Sequence, residues 1–385
     1  MKKNIYIMYA ISFLQGMVFY SPVATLYRQA AGINIFQITL IESVCLVLSV
    51  LLELPWGVVA DKIGYRRTMI ICCVLYFISK LVFWRADSFG WFMLERVMLG
   101  VICAGLSGVD VSVLFLSCEP GQSQKVFGIY NNLCMGGMLA AAGVYSLFVG
   151  SNYRLAGELT VFSYAAAAAL SFGLSEVRGN RAEHKGILSE LPGILRVTLR
   201  DGRLLFLLAA AAMLSETHQN ITVFLNQLQY VKVGMSQRDI SAAFIAMILL
   251  SLTGGMSARF TRRLGEKRFG IALFCLCCAA CLALTFTRSA AVSVASVLAL
   301  RVSSSLFLPL QTELQNRAVT TPDRATALSV QAILMDAVSI PMSIAFGAIA
   351  QANLPASMLF GFIMCLLGTV LYPLSFGRTA KRRSE

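Results

Sequence analysis

The chain has 385 residues, of which 57% are hydrophobic and only 13% charged. A soluble domain of this size is about a quarter charged and about half apolar, so this composition excludes a soluble fold. The formal net charge of +13 does not indicate a nucleic-acid partner, because that function needs a basic face on a soluble fold. The composition is typical of a helical membrane protein.

Twelve apolar runs of membrane-spanning length follow one another along the chain. A span needs about 20 residues, and the runs lie at about 5–27, 36–60, 68–84, 89–117, 126–149, 159–177, 204–231, 237–258, 269–287, 290–315, 326–350 and 354–376. The first run is too long for a signal peptide and no small-residue cleavage site follows it, so we expect a retained helix. We predict an all-α membrane protein with twelve transmembrane helices in two pseudo-symmetric six-helix bundles.

The basic residues predict the orientation in the membrane. If the N-terminus is cytoplasmic, 23 of the 32 Lys and Arg residues fall in inner segments and six in outer segments, Arg28 among the latter. Cytoplasmic loops of membrane proteins carry an excess of Lys and Arg. Both termini are therefore expected in the cytoplasm.

The longest connection divides the chain into halves. We predict an N-terminal six-helix bundle at 1–177, a cytoplasmic linker at 178–203, and a C-terminal bundle with a basic tail at 204–385. Within the linker, residues 186–200 are apolar on one side and basic nearby. That pattern favours a short helix on the inner membrane surface, and a solvated tether is the alternative.

A motif of glycines and charges ends the second run. It reads Gly57-x-x-x-Asp61-x-x-Gly64-x-Arg66-Arg67. The first glycine permits close helix packing and the second a sharp turn, while the acid and the arginines can form a charged latch. The alternative is a set of ordinary cytoplasmic-side charges beside a turn glycine.

A weaker copy of this motif follows the eighth run, at residues 258–268. It is aligned with the first at a shift of 201 residues and carries Arg262 in place of Asp61. Arg96 and Arg301 correspond at a similar shift of 205. Two similar six-helix units indicate a duplicated transporter architecture, in which the second half lacks the acid of the latch.

The first motif resembles the loop between helices two and three of the Major Facilitator Superfamily, and looser signals resemble its bacterial drug-efflux branch. The resemblance implies an inner gate in which Gly57, Asp61, Gly64, Arg66 and Arg67 hold the outward-facing state. The resemblance extends to helix four, where Arg96 and Gly100 resemble the family's Arg-x-x-x-Gly motif. The Gly-Pro-x-x-Gly-Gly element of proton antiporters lacks its proline here, at Gly136-Gly137.

Arg96 is a candidate for proton coupling. A guanidinium within a span costs roughly 2.5–3.5 kcal/mol on insertion scales, so it should face the bundle interior and have a carboxylate partner. Glu53 and Asp110 are the candidate acids for this function, although Asp110 is about 21 Å from Arg96 along a helix and cannot pair with it directly. An arginine that extends to the outer membrane surface is the alternative.

Polar residues near the middle of several spans are candidates for contacting substrate or protons. They are Gln15, Glu216, His218, Asn220, Arg301 and Asp336. Glu216 and Asp336 form the preferred cation or proton site, with Arg301 as a partner. A histidine can relay protons near neutral pH, or simply hydrogen-bond between helices.

Other chemistries have no support in the sequence. There is no phosphate-binding Gly-x-x-x-x-Gly-Lys motif and no catalytic constellation. The 11 cysteines lie in or beside apolar runs, which indicates buried thiols in place of disulfides or a metal centre. We expect no enzymatic activity, no cofactor and no metal.

The predicted function is secondary transport of a small molecule by alternating access, most simply proton-coupled efflux of a lipophilic compound. The protein is expected to act as a monomer in the bilayer of a bacterial inner membrane, with protons and a small-molecule substrate as its partners. Metabolite uptake or facilitated diffusion is the alternative, and a transport-inactive membrane receptor is a third reading.

Overall fold

A computed structural model describes residues 2–106, 109–119, 123–150, 152–177, 187–319 and 324–376. Within these ranges the description excludes the side chains of 53–54, 57–58, 61, 123–125, 187–192, 194 and 324–326. Every regular element in the described ranges is helical.

The α-helices are, in chain order, α1 (Lys2–Gly16), α2 (Ala24–Ala30), α3 (Ile35–Ile63), α4 (Tyr65–Arg85), α5 (Phe89–Leu106), α6 (Val109–Ser117), α7 (Ser123–Val144), α8 (Tyr153–Ser171), α9 (Ile187–Arg200), α10 (Gly202–Gln219), α11 (Asn226–Lys232), α12 (Gln237–Ser251), α13 (Ser257–Leu264), α14 (Glu266–Phe286), α15 (Ala290–Ala318), α16 (Arg324–Ala352) and α17 (Leu354–Leu374). Short 3₁₀ segments at Ser21–Val23 and Leu252–Met256, and π-helical segments at Tyr145–Val149 and Asn220–Leu225, continue several of them.

Ten helical segments within the described residues are long and apolar enough to cross a membrane. They begin with Lys2–Ala30 and end with Leu354–Leu374. The predicted sixth and seventh spans are also helical, as α8 and as the segment from α10 to α11, but they are not among the ten. Charged and polar residues such as Arg154 and Glu216 interrupt their apolar character. The membrane-spanning, all-helical character is confirmed, while the twelve-span count stays a prediction.

The chain folds into two compact units. One contains residues 1–182 with 235–248, and the other contains residues 183–234 with 249–385. The predicted boundaries near 177 and 203 stay predictions, but the short helix expected within the linker is present as α9.

Each unit has its own apolar core. In the first, buried Met8 and Ile11 of α1 lie in one cluster with Met69 of α4 and Val113 of α6. Apolar side chains pack together there because the space between neighbouring helices must be filled at the close density of a protein interior.

In the second unit, aromatic rings connect three helices. The ring of Phe274 in α14 lies 5.4 Å from that of Phe307 in α15 and 5.7 Å from that of Tyr372 in α17. All three side chains are buried. These tilted and edge-to-face contacts are favourable ring geometries, and they fix the mutual orientation of the three helices.

The internal repeat predicted from the two loop motifs is present in the backbone. Gly64 ends α3 with φ 93° and ψ 150°, and Gly265 ends α13 with φ 79° and ψ 148°. Each glycine is followed at once by the next long helix, α4 or α14. A positive φ disfavours any residue with a side chain, so both copies retain glycine although their charges differ.

Helices α1 and α7 approach each other so closely that glycine is required. A Cβ atom on Gly137 would lie 2.1 Å from the Phe13 carbonyl oxygen, and one on Gly16 would lie 2.2 Å from the Cys134 carbonyl oxygen. Small residues allow such backbone contact between membrane helices. Gly137 and Gly16 therefore make the close approach of α1 and α7 possible.

We predict that Gly137→Ala destabilises the protein by about 1–3 kcal/mol, because the added methyl group forces α1 and α7 apart. Gly143→Ala on the same helix is the matched control, since nothing lies within 4 Å of a Cβ atom there. The control should be neutral or slightly stabilising, because alanine is favoured over glycine in helices. Thermal unfolding of the purified protein in detergent measures both, and equal behaviour of the two variants would refute the contact.

Candidate functional site

The turn between α3 and α4 is attached to the end of α8 by Arg66. Its Nε donates to the Leu174 carbonyl oxygen at 2.5 Å, and its Nη2 donates to the Phe172 carbonyl oxygen at 3.2 Å. Carbonyl groups at a helix C-terminus lack partners within the helix and carry partial negative charge, so a cation is favourable there. Arg66 therefore connects the motif loop to the sixth long helix of the chain.

The other predicted gate residues are placed less completely. Arg67 is exposed, and Gly64 makes the turn described above. Gly57 and Asp61 lie in helix α3, but the surroundings of Gly57 and the side chain of Asp61 are outside the described part of the structure. The latch role of Asp61 stays a prediction.

Arg96 lies within a buried network of charges in the first unit. Its Nη2 is 2.8 Å from Glu42 Oε1, and its Nε is 3.4 Å from Glu95 Oε2. Glu42 Oε1 is also 3.2 Å from Arg28 Nη1. The prediction that Arg96 has a carboxylate partner is confirmed, and the structure identifies two such partners on α3 and α5.

Lys80 of α4 completes this network. Its Nζ lies 3.4 Å from Glu95 Oε1 and faces three tyrosine rings, with centroid distances of 5.2 Å to Tyr76, 5.4 Å to Tyr164 and 6.0 Å to Tyr20. An ammonium group within about 6 Å of an aromatic face is attracted by the ring. Lys80 is therefore held by one carboxylate and an aromatic surround.

We call these five residues, Arg28, Glu42, Lys80, Glu95 and Arg96, the charge network. It contains three cations and two carboxylates, and therefore one excess positive charge. The side chains of Glu42 and Arg96 are 18% and 16% exposed, whereas those of Arg28 and Glu95 are 1% and 0% exposed. Glu42 is therefore the more exposed of the two carboxylates.

The sequence pattern points to one of the five residues, Arg96. It counts Arg28 among the charges of the outer segments, and the structure shows that Arg28 is buried within helix α2. Glu42, Lys80 and Glu95 are members of the charge network that the pattern did not reveal. All three are charges inside apolar runs, near the beginnings of α3 and α5 and near the end of α4. Equal depth in neighbouring spans is the signal that would have found them.

The two acids considered for Arg96 are not its observed partners. Asp110 in α6 accepts a hydrogen bond from the Val111 backbone N–H at 2.7 Å and one from the Tyr130 hydroxyl at 3.5 Å. The side chain of Glu53 lies outside the described residues. The carboxylates that pair with Arg96 in this structure are Glu42 and Glu95, and a role in proton coupling stays a prediction.

In the second unit, Glu216 and Asn220 form a polar contact between α10 and α16. Asn220 Nδ2 donates to Glu216 Oε1 at 2.7 Å, and the Ser343 hydroxyl donates to Asn220 Oδ1 at 3.4 Å. The Asp336 carboxylate, also on α16, is close enough to interact electrostatically with Glu216. Two neighbouring carboxylates among amide and hydroxyl groups can bind a cation or share a proton.

His218 and Arg301 form a separate pair. Arg301 Nη1 lies 3.4 Å from His218 Nε2, and the Thr222 hydroxyl lies 3.1 Å from the same nitrogen. A guanidinium only donates hydrogen bonds, so Nε2 is the acceptor. No carboxylate of the described residues forms a salt bridge with Arg301, and its predicted partnership with Glu216 and Asp336 is not what the structure shows.

Gln15 lies beside the charge network. Its backbone carbonyl accepts a hydrogen bond from the Tyr164 hydroxyl at 2.6 Å, and Tyr164 also faces Lys80. Its side-chain Nε2 is 3.6 Å from Cys73 Sγ. Gln15 therefore reaches the network through Tyr164, while its side chain contacts a thiol.

The cysteines of the chain are free thiols. All 11 cysteines are unpaired, and six of them are buried. Among the described residues, no group of three or more histidine, cysteine or acidic side chains is arranged to hold a metal ion.

A family profile described as Major Facilitator Superfamily matches residues 5–340. The chain belongs to the Major Facilitator Superfamily. The resemblance first suggested by the loop motif is thus confirmed, and the protein is a multi-pass membrane transporter. Membership in this superfamily indicates a transporter and not an enzyme.

One related protein is the quinolone resistance protein NorA of Staphylococcus aureus (strain MRSA252), which is 24% identical over 177 residues. The match covers 44% of this chain and 45% of that protein, so the chain aligns with less than half the length of this relative.

Solved structures of the superfamily share the fold across nearly the whole chain. A nucleoside transporter, NupG (D323A mutant), has a TM-score of 0.84 at 13% identity and covers 97% of this chain and 100% of that chain. A D-xylose–proton symporter has a TM-score of 0.76 at 11% identity and covers 98% and 97%, respectively. At these identities the likeness shows the fold alone.

We predict that Lys80 and Glu95 of this superfamily member depend on each other for stability. Lys80→Met removes one of two cations that pair with Glu95, and Glu95→Gln removes the carboxylate that pairs with Lys80. Each single change should cost about 3–5 kcal/mol, because it leaves a buried charge without its partner. The double variant should lose clearly less than the sum, because neither charge remains.

Thermal unfolding of the four proteins in detergent gives this double-mutant cycle. Lys232→Met, at an exposed lysine, is the control and should change stability little. Strictly additive losses would show that the two side chains do not interact.

Proposed function

We propose that this protein is a proton-coupled exporter of small lipophilic compounds, including cationic ones, and that the charge network of the first unit is its proton site. The observation that carries the proposal is the placement of two carboxylates against three cations inside apolar helices. Ionisable residues at such depth are costly and mark proton or substrate pathways in membrane proteins. The presence of a partly exposed acid at one end gives a proton an entry point.

Glu42 is the acid that takes up the proton. Its Oε1 atom lies 3.2 Å from Arg28 Nη1 and 2.8 Å from Arg96 Nη2, and these ion pairs connect α2, α3 and α5. A proton on this carboxylate removes the negative charge that holds the two guanidinium groups. Glu95 is then the only charged carboxylate that pairs with Arg96, and Glu42 Oε1 no longer links α2, α3 and α5. Protonation is thus translated into freedom for the helices to move.

The acids of the second unit suit a cationic substrate. Glu216 and Asp336 offer negative charge beside the Asn220 amide and the Ser343 hydroxyl. Arg301 is engaged by His218. A basic amine on an otherwise apolar compound would find its counter-charge at Glu216 and Asp336, with Asn220 as an additional hydrogen-bonding group. Within the second unit, His218 and Arg301 would contact neutral polar groups of the substrate, and Gln15 stays a candidate substrate contact of the first unit.

The relative named for quinolone resistance supports export, because removal of a drug from the cell is a direct route to resistance. Metabolite uptake or facilitated diffusion is the second candidate. It is favoured by the missing proline beside Gly136 and Gly137, and by the names of the structural neighbours, a nucleoside transporter and a D-xylose–proton symporter. A transport-inactive receptor is the third, and the retained gate motif weighs against it.

We place the protein in the bacterial inner membrane with both termini in the cytoplasm, as the distribution of basic residues indicates. We further propose two six-helix bundles, at 1–177 and 204–385, and transport by alternating access. The loop of Asp61 and Arg66 gates the cytoplasmic side, and the transporter works as a monomer.

Transport by proteoliposomes separates these functions. With an acidic lumen, proton antiport drives a quinolone into the vesicle as protons leave, whereas proton symport needs the acid outside. We expect accumulation with the acidic lumen only. Glu42→Gln should reduce this gradient-driven accumulation at least tenfold and leave downhill exchange intact, because it imitates the protonated carboxylate.

Asp87→Asn is the matched control, because this acid is exposed in the loop between α4 and α5. It should transport like the unmodified protein. If flux does not depend on the pH gradient, or if Glu42→Gln accumulates substrate normally, the coupling proposal is wrong.

The gate role of Asp61 can be tested in the same vesicles. Asp61→Asn should lower transport about tenfold without preventing folding, because the latch loses its negative charge. Lys62→Gln, at the neighbouring exposed lysine, should have a much smaller effect. Full transport by Asp61→Asn would remove Asp61 from the mechanism.

A further inference from the structure

A cavity lies at the turn between α13 and α14, far along the chain from the charge network. It has a volume of about 890 Å³ and is lined by residues of α13, by the first residues of α14, by the end of α15 and by Phe376. These helix ends coincide with the ends of the candidate spans Gln237–Leu264, Glu266–Phe286 and Ala290–Ala318. The cavity is therefore at the level where the hydrocarbon of a bilayer stops.

The charges that line the cavity are predominantly positive. Arg317 pairs with Glu266 at 2.7 Å and also with Glu313, so both acids of the lining are already engaged by one guanidinium. The remaining charges of the lining are Arg262, Lys267 and Arg268. Within the described part of the chain these three cations form no salt bridge. Four cations and two carboxylates leave two excess positive charges.

The wall of the cavity is not uniformly polar. Leu264 lines it and is 48% exposed, and Ala258 and Phe376 add further apolar surface. A site for a free inorganic anion needs donors only. A basic cavity beside exposed apolar side chains, at the end of membrane-spanning helices, fits a molecule with an anionic head and an apolar body.

The repeat gives a reason why the second half can carry this site. In the first copy of the motif Asp61 occupies the position that Arg262 occupies in the second. The backbone turn is kept, with glycine at 64 and 265, but the acid has been exchanged for a base. A position that would repel an anion in the first half attracts one in the second.

We propose that this cavity binds the headgroup of an anionic phospholipid. Arg262 and Arg268 bind the phosphate, because guanidinium groups can donate two parallel hydrogen bonds to phosphate oxygens, and Lys267 adds charge. The acyl chains lie along the apolar surface that begins at Leu264. Basic pockets between helices at a membrane surface are known to recognise anionic headgroups.

The test uses the full chain purified in detergent micelles that contain dioleoyl phosphatidylglycerol or dioleoyl phosphatidylcholine. Thermal unfolding measures stabilisation, and native mass spectrometry measures retained lipid. We expect phosphatidylglycerol to raise the unfolding temperature and to stay bound, unlike phosphatidylcholine. The double variant Arg262→Gln with Arg268→Gln should weaken the apparent affinity at least tenfold, because two phosphate contacts are lost.

The matched control is Arg259→Gln with Arg263→Gln. This control also removes two positive charges, both from α13, but neither residue lines the cavity. Its affinity should stay within about twofold of the unmodified protein. An equal loss in both double variants would show general surface attraction and overturn the proposal. So would equal binding of the two lipids, or an equal effect of glycerol phosphate, which would assign the site to a free phosphate.

Single variants guard against a folding defect. Arg262→Lys keeps the charge and should retain most of the lipid affinity, whereas Arg262→Asp restores the acid of the first copy and should abolish it. The unfolding temperature in phosphatidylcholine micelles reports the stability of each variant without the anionic lipid. If Arg262→Asp binds phosphatidylglycerol as tightly as Arg262→Lys, the site is not where we place it.

Discussion

A charge inside an apolar helix must find its counter-charge inside the same protein, and this constraint organises the first unit. Arg96 reaches Glu42 at 2.8 Å and Glu95 at 3.4 Å, and through these carboxylates it is linked to Arg28 and Lys80. Leaving one of these ions without its partner would be costly, because a buried ion loses several kcal/mol of solvation. The mutual positions of α2, α3, α4 and α5 are therefore set by electrostatics as well as by packing.

The two copies of the loop motif show which features of a duplicated unit are fixed by backbone geometry. Gly64 and Gly265 keep the same positive-φ turn, because any side chain there would be strained. The residue three positions earlier is not fixed in this way, and it changed from Asp61 to Arg262. The same turn can thus present an acid in one half and a base in the other, and the two halves are free to acquire different partners.

Some of this arrangement could be predicted from the sequence because it follows from local rules. Apolar runs predicted the helices, and the cost of a guanidinium in a membrane predicted that Arg96 has a carboxylate partner. The identity of that partner did not follow. Glu42 and Glu95 meet Arg96 only through the rotation and crossing of α3 and α5, which a single sequence does not encode in any periodic pattern. The burial of Arg28 could not be predicted for a related reason, because this residue lies in a short helix, α2, that continues the first span after a break. For Asp61 and Glu53 the predicted roles stay predictions.

The ionisable groups inside the spans differ between the two units, and the proposed division of proton and substrate between the units rests on this difference. The charge network has one excess positive charge, which disfavours a second cation, and in the proposed mechanism its partly exposed acid, Glu42, takes up the proton. The second unit presents Glu216 with Asp336 nearby, while Arg301 donates to a histidine nitrogen and has no salt bridge to a described carboxylate. Under the proposed function, a cationic compound would therefore lie beside carboxylates in the second unit, whereas the charge network of the first unit has excess positive charge. If one carboxylate bound both the proton and the substrate, the proton and the substrate would compete for it directly. With separate acids, the proton can act on the helices of one unit while the substrate is held by the other, and coupling then depends on the motion of helices and not on displacement at a shared site.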